Sequence, residues 1–218
     1  MPRNKHPEET RNKILDAAAK VFEEKGFEQT TILDIVENME GLTRGAFYHH
    51  FKSKEEVLNA LSDKIFYDKN PFQKVITRKD LNGLQKLRVA FKENFMSIDD
   101  EHHDLRLASI ELLSSPQFFM QQIEFNKFAA RMYLEPLINE GIRDGSIKVA
   151  NAQLMSELMM VLFNVWMLPI VFDGDDAYFE AKAMYALNII KQLGLDLFDE
   201  ELEALGEHYL RTIAEHLY

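Results

Sequence analysis

Two cations stand where helices begin. Thr43-Arg44 and Ser53-Lys54 each put a hydroxyl residue that can cap a helix directly before a basic residue in its first turn. The unpaired N–H groups make a helix start positive, so a cation there is unfavourable by about 0.3–1 kcal/mol unless an anion shares the place. A phosphate is such an anion. Other residues nearby suit the same partner. Thr31 opens an earlier helix through Thr31-x-x-Asp34, and Gly45 has no side chain to hold a partner's backbone away. Tyr48 and His49 lie one turn along the face that starts at Arg44, where a tyrosine hydroxyl is a good phosphate donor. Arg44 and Thr43 can pair with base edges as well as with phosphate. The bland alternative is a structural bundle in which Arg44, Tyr48 and His49 are merely solvated.

These residues fall in one short segment, TILDIVENMEGLTRGAFYHHFKSKEE (31–56), and need four helices to position them. Apolar spacing predicts a first helix over 8–25, with Ile14, Leu15, Ala18, Val21 and Phe22 on one face and Gly26 as its stop. A second starts at Thr31 with Ile32, Ile35, Val36 and Met39 inward. After a turn at Glu40-Gly41, a short third helix over 43–50 buries Ala46 and Phe47, and Phe51 closes the small core. Ser53-x-x-Glu56 opens a fourth, which buries Val57, Leu58, Leu61 and Ile65 before a break at Asn70-Pro71. A short helix entered from a Gly-containing turn, small and polar on its leading face, suits the major groove of DNA.

Charge at first opposes that reading, because the 218-residue chain has a net charge of −11. The acid is uneven: residues 1–64 hold 10 Lys+Arg against 12 Asp+Glu, so most of the excess lies beyond them. Arg3, Lys5, Arg11, Lys13, Arg44, Lys52 and Lys54 allow one locally basic face. There is no Cys, which excludes disulfides, thiolate chemistry and cysteine zinc sites. MPRNKHPEETRNK has no apolar h-region of a signal peptide, and the longest apolar run, 158–172, contains Asn164 and Pro169 and is too short for a membrane span. The expectation is a cytoplasmic protein.

Beyond Pro71 the helical period continues, with helices expected over 80–97, 100–113, 116–141 (kinked at Pro136), 152–172, 175–194 and 199–218. The fold class is all-α. It divides into a three-helix helix-turn-helix domain over 1–52, a connecting helix over 53–70 and a larger helical domain over 71–218.

GLTRGAFYHHFKSKEEVL (41–58), with the helix that precedes it, resembles the DNA-binding motif of the TetR family of transcriptional regulators. YLEPLINEGIRDGSI (133–147) and the helix count fit that family's C-terminal domain more loosely. The resemblance implies that Thr31 caps the second helix beside a phosphate, and that Thr43, Arg44 and Gly45 open the recognition helix. Tyr48 and His49 would reach backbone or base edges, and Lys54 would hold a phosphate. Between Asp34 and Gly41 this chain is one residue longer than the family pattern, which bears on the angle of the third helix.

The resemblance further implies a homodimer on a palindromic operator in double-stranded DNA and a small-molecule effector in the C-terminal domain. Leu154, Leu158, Val161, Leu162, Val165, Met184, Leu187, Ile189 and Ile190 offer more apolar surface than one packed face needs, as a symmetric dimer would; a thick monomeric core is the alternative. Phe91, Phe95, Ile110, Phe128, Met132 and Trp166 are the expected effector contacts, adaptable apolar surface for an apolar or amphipathic molecule. Ordinary core packing uses the same residues. His102-His103 among acids reads as a solvated helix start rather than a metal site, so no metal or cofactor is expected. No Glu-x-x-His, phosphate loop, GxSxG or HExxH occurs, and no enzyme is read here. The expected function is a ligand-responsive repressor, with a ligand-free or activator-type DNA-binding protein as the alternative.

Overall fold

Apolar residues spaced by three and four become twelve α-helices in the computed structural model, which describes residues 7–217 and has no strand among them. In chain order these are α1 (Pro7–Lys25), α2 (Ile32–Asn38), α3 (Arg44–His50), α4 (Lys54–Lys69), α5 (Pro71–Ile76), α6 (Gly83–Met96), α7 (His103–Glu111), α8 (Pro116–Ala129), α9 (Glu135–Asp144), α10 (Ala152–Val161), α11 (Asp176–Gln192) and α12 (Glu200–Leu217). Arg3, Lys5 and Tyr218 lie outside the described residues. No helix among the described residues is long and apolar enough to cross a membrane.

The chain packs as two units, one made of α1 to α4 with the segment His102–Leu112, the other of Asn70–Glu101 with the chain from Leu113 onward. In the first, Ile14, Leu15, Phe22, Ile35 and Phe47 are almost wholly shielded from water, and Phe51 lies beside them. Truncating a buried phenylalanine such as Phe47 to alanine costs about 3–5 kcal/mol. The helix read from sequence as a connector, α4, gives Val57, Leu58 and Leu61 to this core. α7 adds Leu105 and Ala108, and Ser109 shares a hydrogen bond with Ser62 of α4.

In the second unit several expected boundaries move, each for a local reason. Asn70-Pro71 does break the helix before it, but it also opens α5. The Asn70 Oδ1 accepts the N–H groups of Phe72 (2.9 Å) and Gln73 (3.3 Å), and Pro71 sits where its missing N–H costs nothing. α6 starts at Gly83 rather than Asp80, because Asn82 and Gln85 form a reciprocal capping box while Asp80 pairs with Arg78. The expected kink at Pro136 takes the form of a π turn over Ala130–Leu134, in which the Glu135 N–H bonds the Ala130 carbonyl five residues back. A second π turn, Leu162–Trp166, ends α10. The helix expected to reach residue 172 stops there, three residues before Pro169.

Polar ties fasten this unit between remote segments. The Lys86 ammonium, buried on α6, donates to Glu140 of α9 at 2.6 Å and to the Ile76 carbonyl at 3.2 Å. The Gly83 N–H donates to Asp144 at 2.7 Å, and Arg88 donates to the carbonyls of Leu197 and Asp196, both at 2.9 Å. Leu162 and Ile190, expected on an outer apolar face, are core residues instead, while Leu154, Val161 and Met184 are exposed.

Candidate nucleic-acid interface

The turn between α2 and α3 is built from backbone bonds and one glycine. The Met39 N–H bonds the Val36 carbonyl and the Leu42 N–H bonds the Met39 carbonyl, each at 3.2 Å. Gly41 carries φ of 71° in that turn, a left-handed conformation that any side chain would strain. Thr43 then caps α3, its hydroxyl oxygen accepting the Ala46 N–H at 3.3 Å.

α3 turns Phe47 into the core and leaves Thr43, Arg44, Gly45, Tyr48 and His49 exposed. Five of the seven expected DNA-contacting residues are therefore exposed at the cap of α3 or along it. The Arg44 guanidinium lies 5.5 Å from the Tyr48 ring centre and donates a long 3.4 Å bond to its hydroxyl. No acidic residue stands in the first turn of α3 to neutralise Arg44. At Gly45 an added Cβ would meet only the Thr43 hydroxyl, at 3.6 Å, and φ there is not positive. Nothing among the described residues requires glycine at that position. His50 points inward: its Nε2 is buried without a partner, and burial, with His49 and Arg11 nearby, lowers its pKa from the usual histidine value.

Thr31 and Lys54 are engaged within the chain. The Asp34 carboxylate accepts both the Thr31 N–H (2.8 Å) and the Thr31 hydroxyl (2.7 Å), completing the expected capping box. Lys25 pairs with the same carboxylate, and its hydrogen bond, followed by those from Thr31, holds Asp34 far below the usual carboxylate range. The lone hydroxyl proton of Thr31 is thereby committed. Lys54 donates to the carbonyls of Phe27 (2.9 Å) and Glu28 (3.1 Å), so two of its three donors serve the connection between α1 and α2. Its box partner is also displaced: Ser53 accepts the Glu56 N–H at 3.2 Å, but Glu56 accepts the N–H of Lys52, not of Ser53. Sequence reasoning missed Lys25 as a partner, since a pair nine residues apart across a loop leaves no periodic signal. It counted Arg11 only as a charge, whereas its guanidinium lies 5.6 Å from the ring centre of Phe51.

The expected effector contacts do not converge. Phe91 and Phe95 join Phe198, all within about 6.3 Å centre to centre, and Phe163 and Tyr209 extend the cluster. Trp166 faces Tyr185 and Lys182 instead. Phe128 and Met132 are about half exposed, and Ile110 belongs to α7 of the first unit, whereas the other five belong to the second. A surface cavity of about 470 Å³ runs along α11 and the residues before α12, lined by Met184, Tyr185, Leu195 and Phe198 among others, with none of the six expected contacts.

Residues 14–61, which hold the whole α2–turn–α3 arrangement, match the family described as bacterial regulatory proteins, tetR family. The HTH-type transcriptional repressor KstR2 of Mycolicibacterium smegmatis is 32% identical over 149 residues, 65% of this chain and 69% of that protein. The chain belongs to the TetR family. As a TetR-family protein it is a DNA-binding transcriptional regulator. Its fold agrees with those of solved structures: a TetR-family regulator from Pectobacterium atrosepticum superposes with a TM-score of 0.59 at 22% identity, covering 88% of this chain and 95% of that one. FadR of Bacillus subtilis, solved in complex with stearoyl-CoA, superposes with a TM-score of 0.53 at 20% identity, covering 95% and 99%.

Proposed function

We propose that this TetR-family regulator is a homodimeric repressor that occupies a palindromic operator through α3 and leaves it when a small apolar or amphipathic effector binds the second unit. The observation that carries the DNA half is Gly45. A helical glycine costs about 0.5–1 kcal/mol relative to alanine, and here no neighbour among the described residues needs the space. A DNA backbone brought against Thr43, Arg44 and Gly45 does need it. Tyr48 and His49 then reach phosphate or base edges, Arg44 reads a base, and Lys54 fixes the start of α4 with one N–H left for a phosphate.

The effector half draws on the aromatic cluster around Phe91 and Phe95 and on a structural neighbour: FadR of Bacillus subtilis was solved with stearoyl-CoA, an amphipathic ligand. An effector releases DNA only by favouring a protomer arrangement in which the two α3 helices no longer match half-sites ~34–36 Å apart. Selection of sites from a random DNA pool by the purified protein tests the reading. A palindrome with half-sites about one helical turn apart is expected; an unenriched pool at low salt without ligand would sink the repressor reading.

A further inference from the structure

Lys182 occupies an aromatic box for which it is poorly suited. The residue lies on α11 with 4% relative exposure. Its Nζ stands 5.2 Å from the ring centre of Trp166, 4.7 Å from Phe172, 5.1 Å from Tyr178 and 5.4 Å from Phe179. Ring faces at these distances attract positive charge. They do not replace water for an ammonium, whose N–H groups are strong donors, and the Lys182 Nζ has no hydrogen-bond partner. Burial accordingly lowers its pKa below the usual lysine value. A cation of the same charge without N–H groups would keep the attraction and forfeit nothing.

The box is reachable. Phe172 and Tyr178 are nearly half exposed and form its outer wall. Gly174 lets Tyr178 lie close against the intervening backbone, where an added Cβ would fall 2.2 Å from the ring. The same segment carries the exposed carboxylates of Asp173 and Asp175, the latter accepting the Tyr178 N–H at 2.9 Å. Negative charge at the rim draws cations in and turns anions away.

We propose that Trp166, Phe172, Tyr178 and Phe179 form a receptor for a weakly hydrated organic cation, such as a quaternary ammonium, and that Lys182 is its tethered occupant, expelled to solvent when the ligand enters. This rests on the effector reading above and specifies the effector as an amphipathic cation. The π turn Leu162–Trp166 serves both parts of such a molecule: Trp166 lines the box, and Phe163 packs on Phe91 and Phe198 in the neighbouring ring cluster. Lys182 shares α11 with Met184 and Tyr185, so its expulsion acts on a helix assigned above to the protomer contact.

Trp166 is the one tryptophan of the chain, so intrinsic fluorescence reports the box without DNA or label. The full-length protein is titrated with choline, with its uncharged isostere 3,3-dimethylbutanol and with hexanoate, and the titrations are repeated on Lys182→Met. The expected result is a saturable change with choline alone, at least tenfold tighter in Lys182→Met, where the competitor is gone. An equal response to the alcohol overturns the proposal in favour of a merely apolar pocket. Saturation by hexanoate that disappears in Lys182→Met overturns it in favour of an anion site on Lys182. Silence from all three probes in both proteins, each shown by circular dichroism to be helical and to unfold cooperatively, reduces the box to a packing contact. Because no operator is involved, none of these failures bears on DNA recognition, and a failed operator selection leaves the titration readable.

Discussion

Lys54 grips Phe27 at two points: its ammonium donates to the Phe27 carbonyl at 2.9 Å and lies 4.4 Å from the centre of the Phe27 ring. The start of α4 is thereby tied to the connection that leads into α2. Hydrogen bonds from a charged donor contribute about 1.5–3 kcal/mol when buried, and this one is partly exposed. Lys54→Met should therefore lower the stability of the protein by about 1–2 kcal/mol in urea unfolding. A loss under about 0.5 kcal/mol, the scatter of ordinary surface changes, would mean that the clasp is not made in solution.

Gly45→Ala separates folding from recognition. The added methyl makes only an ordinary contact with the Thr43 hydroxyl and relieves the entropy of a helical glycine, so stability should rise by about 0.5–1 kcal/mol. Operator affinity, followed by fluorescence anisotropy, should fall at the same time. A variant that is more stable and binds DNA as well as the parent would place the DNA surface away from the start of α3.

How much of this was legible beforehand divides along physical lines. Phe22, Ile35 and Phe47 follow from helical period, and the Thr31–Asp34 box from residues three apart, because local spacing alone decides them. The Lys25–Asp34 pair, the Lys54 clasp and the Arg11–Phe51 contact depend on tertiary placement, which no periodicity encodes. Asn70-Pro71 was half legible: the same two residues end one helix and cap the next. The effector set was the least legible, since Phe91 and Trp166 look alike in a sequence but face different neighbours, and the box around Lys182 joins a π turn, a loop and a helix.

Acid should loosen the entry to α2. Asp34 is held far below an unperturbed carboxylate value of about 3.9 by Lys25 and Thr31. A depressed carboxylate contributes its stability fully above the unfolded value, and the contribution is lost as pH falls through the folded one. The thermal midpoint should thus drop as pH is lowered below about 4, and Asp34→Asn should flatten that limb while lowering the midpoint at neutral pH. An acid limb that is identical in the two proteins would show that the Lys25–Asp34–Thr31 group contributes no linkage.

The proposed protomer contact can be tested without disturbing the core, because the structure separates outer from inner apolar residues along the same stretches of chain. Leu154 on α10 and Met184 on α11 are 62% and 51% exposed, whereas Leu162, in the π turn that ends α10, and Ile190, further along α11, are shielded. Glutamate at the exposed pair costs the isolated protomer little, since changes at such positions usually stay within about 0.5 kcal/mol, but in a dimer it would bury like charges across the two-fold axis. Leu154→Glu with Met184→Glu should therefore reduce the mass in light scattering to that of one 25.4 kDa chain, with helicity retained. Palindromic DNA should then be bound only as separate half-sites. A double variant that stays dimeric would move the interface to another face of the second unit, whereas one that unfolds outright would mean that the protomer depends on its partner for stability.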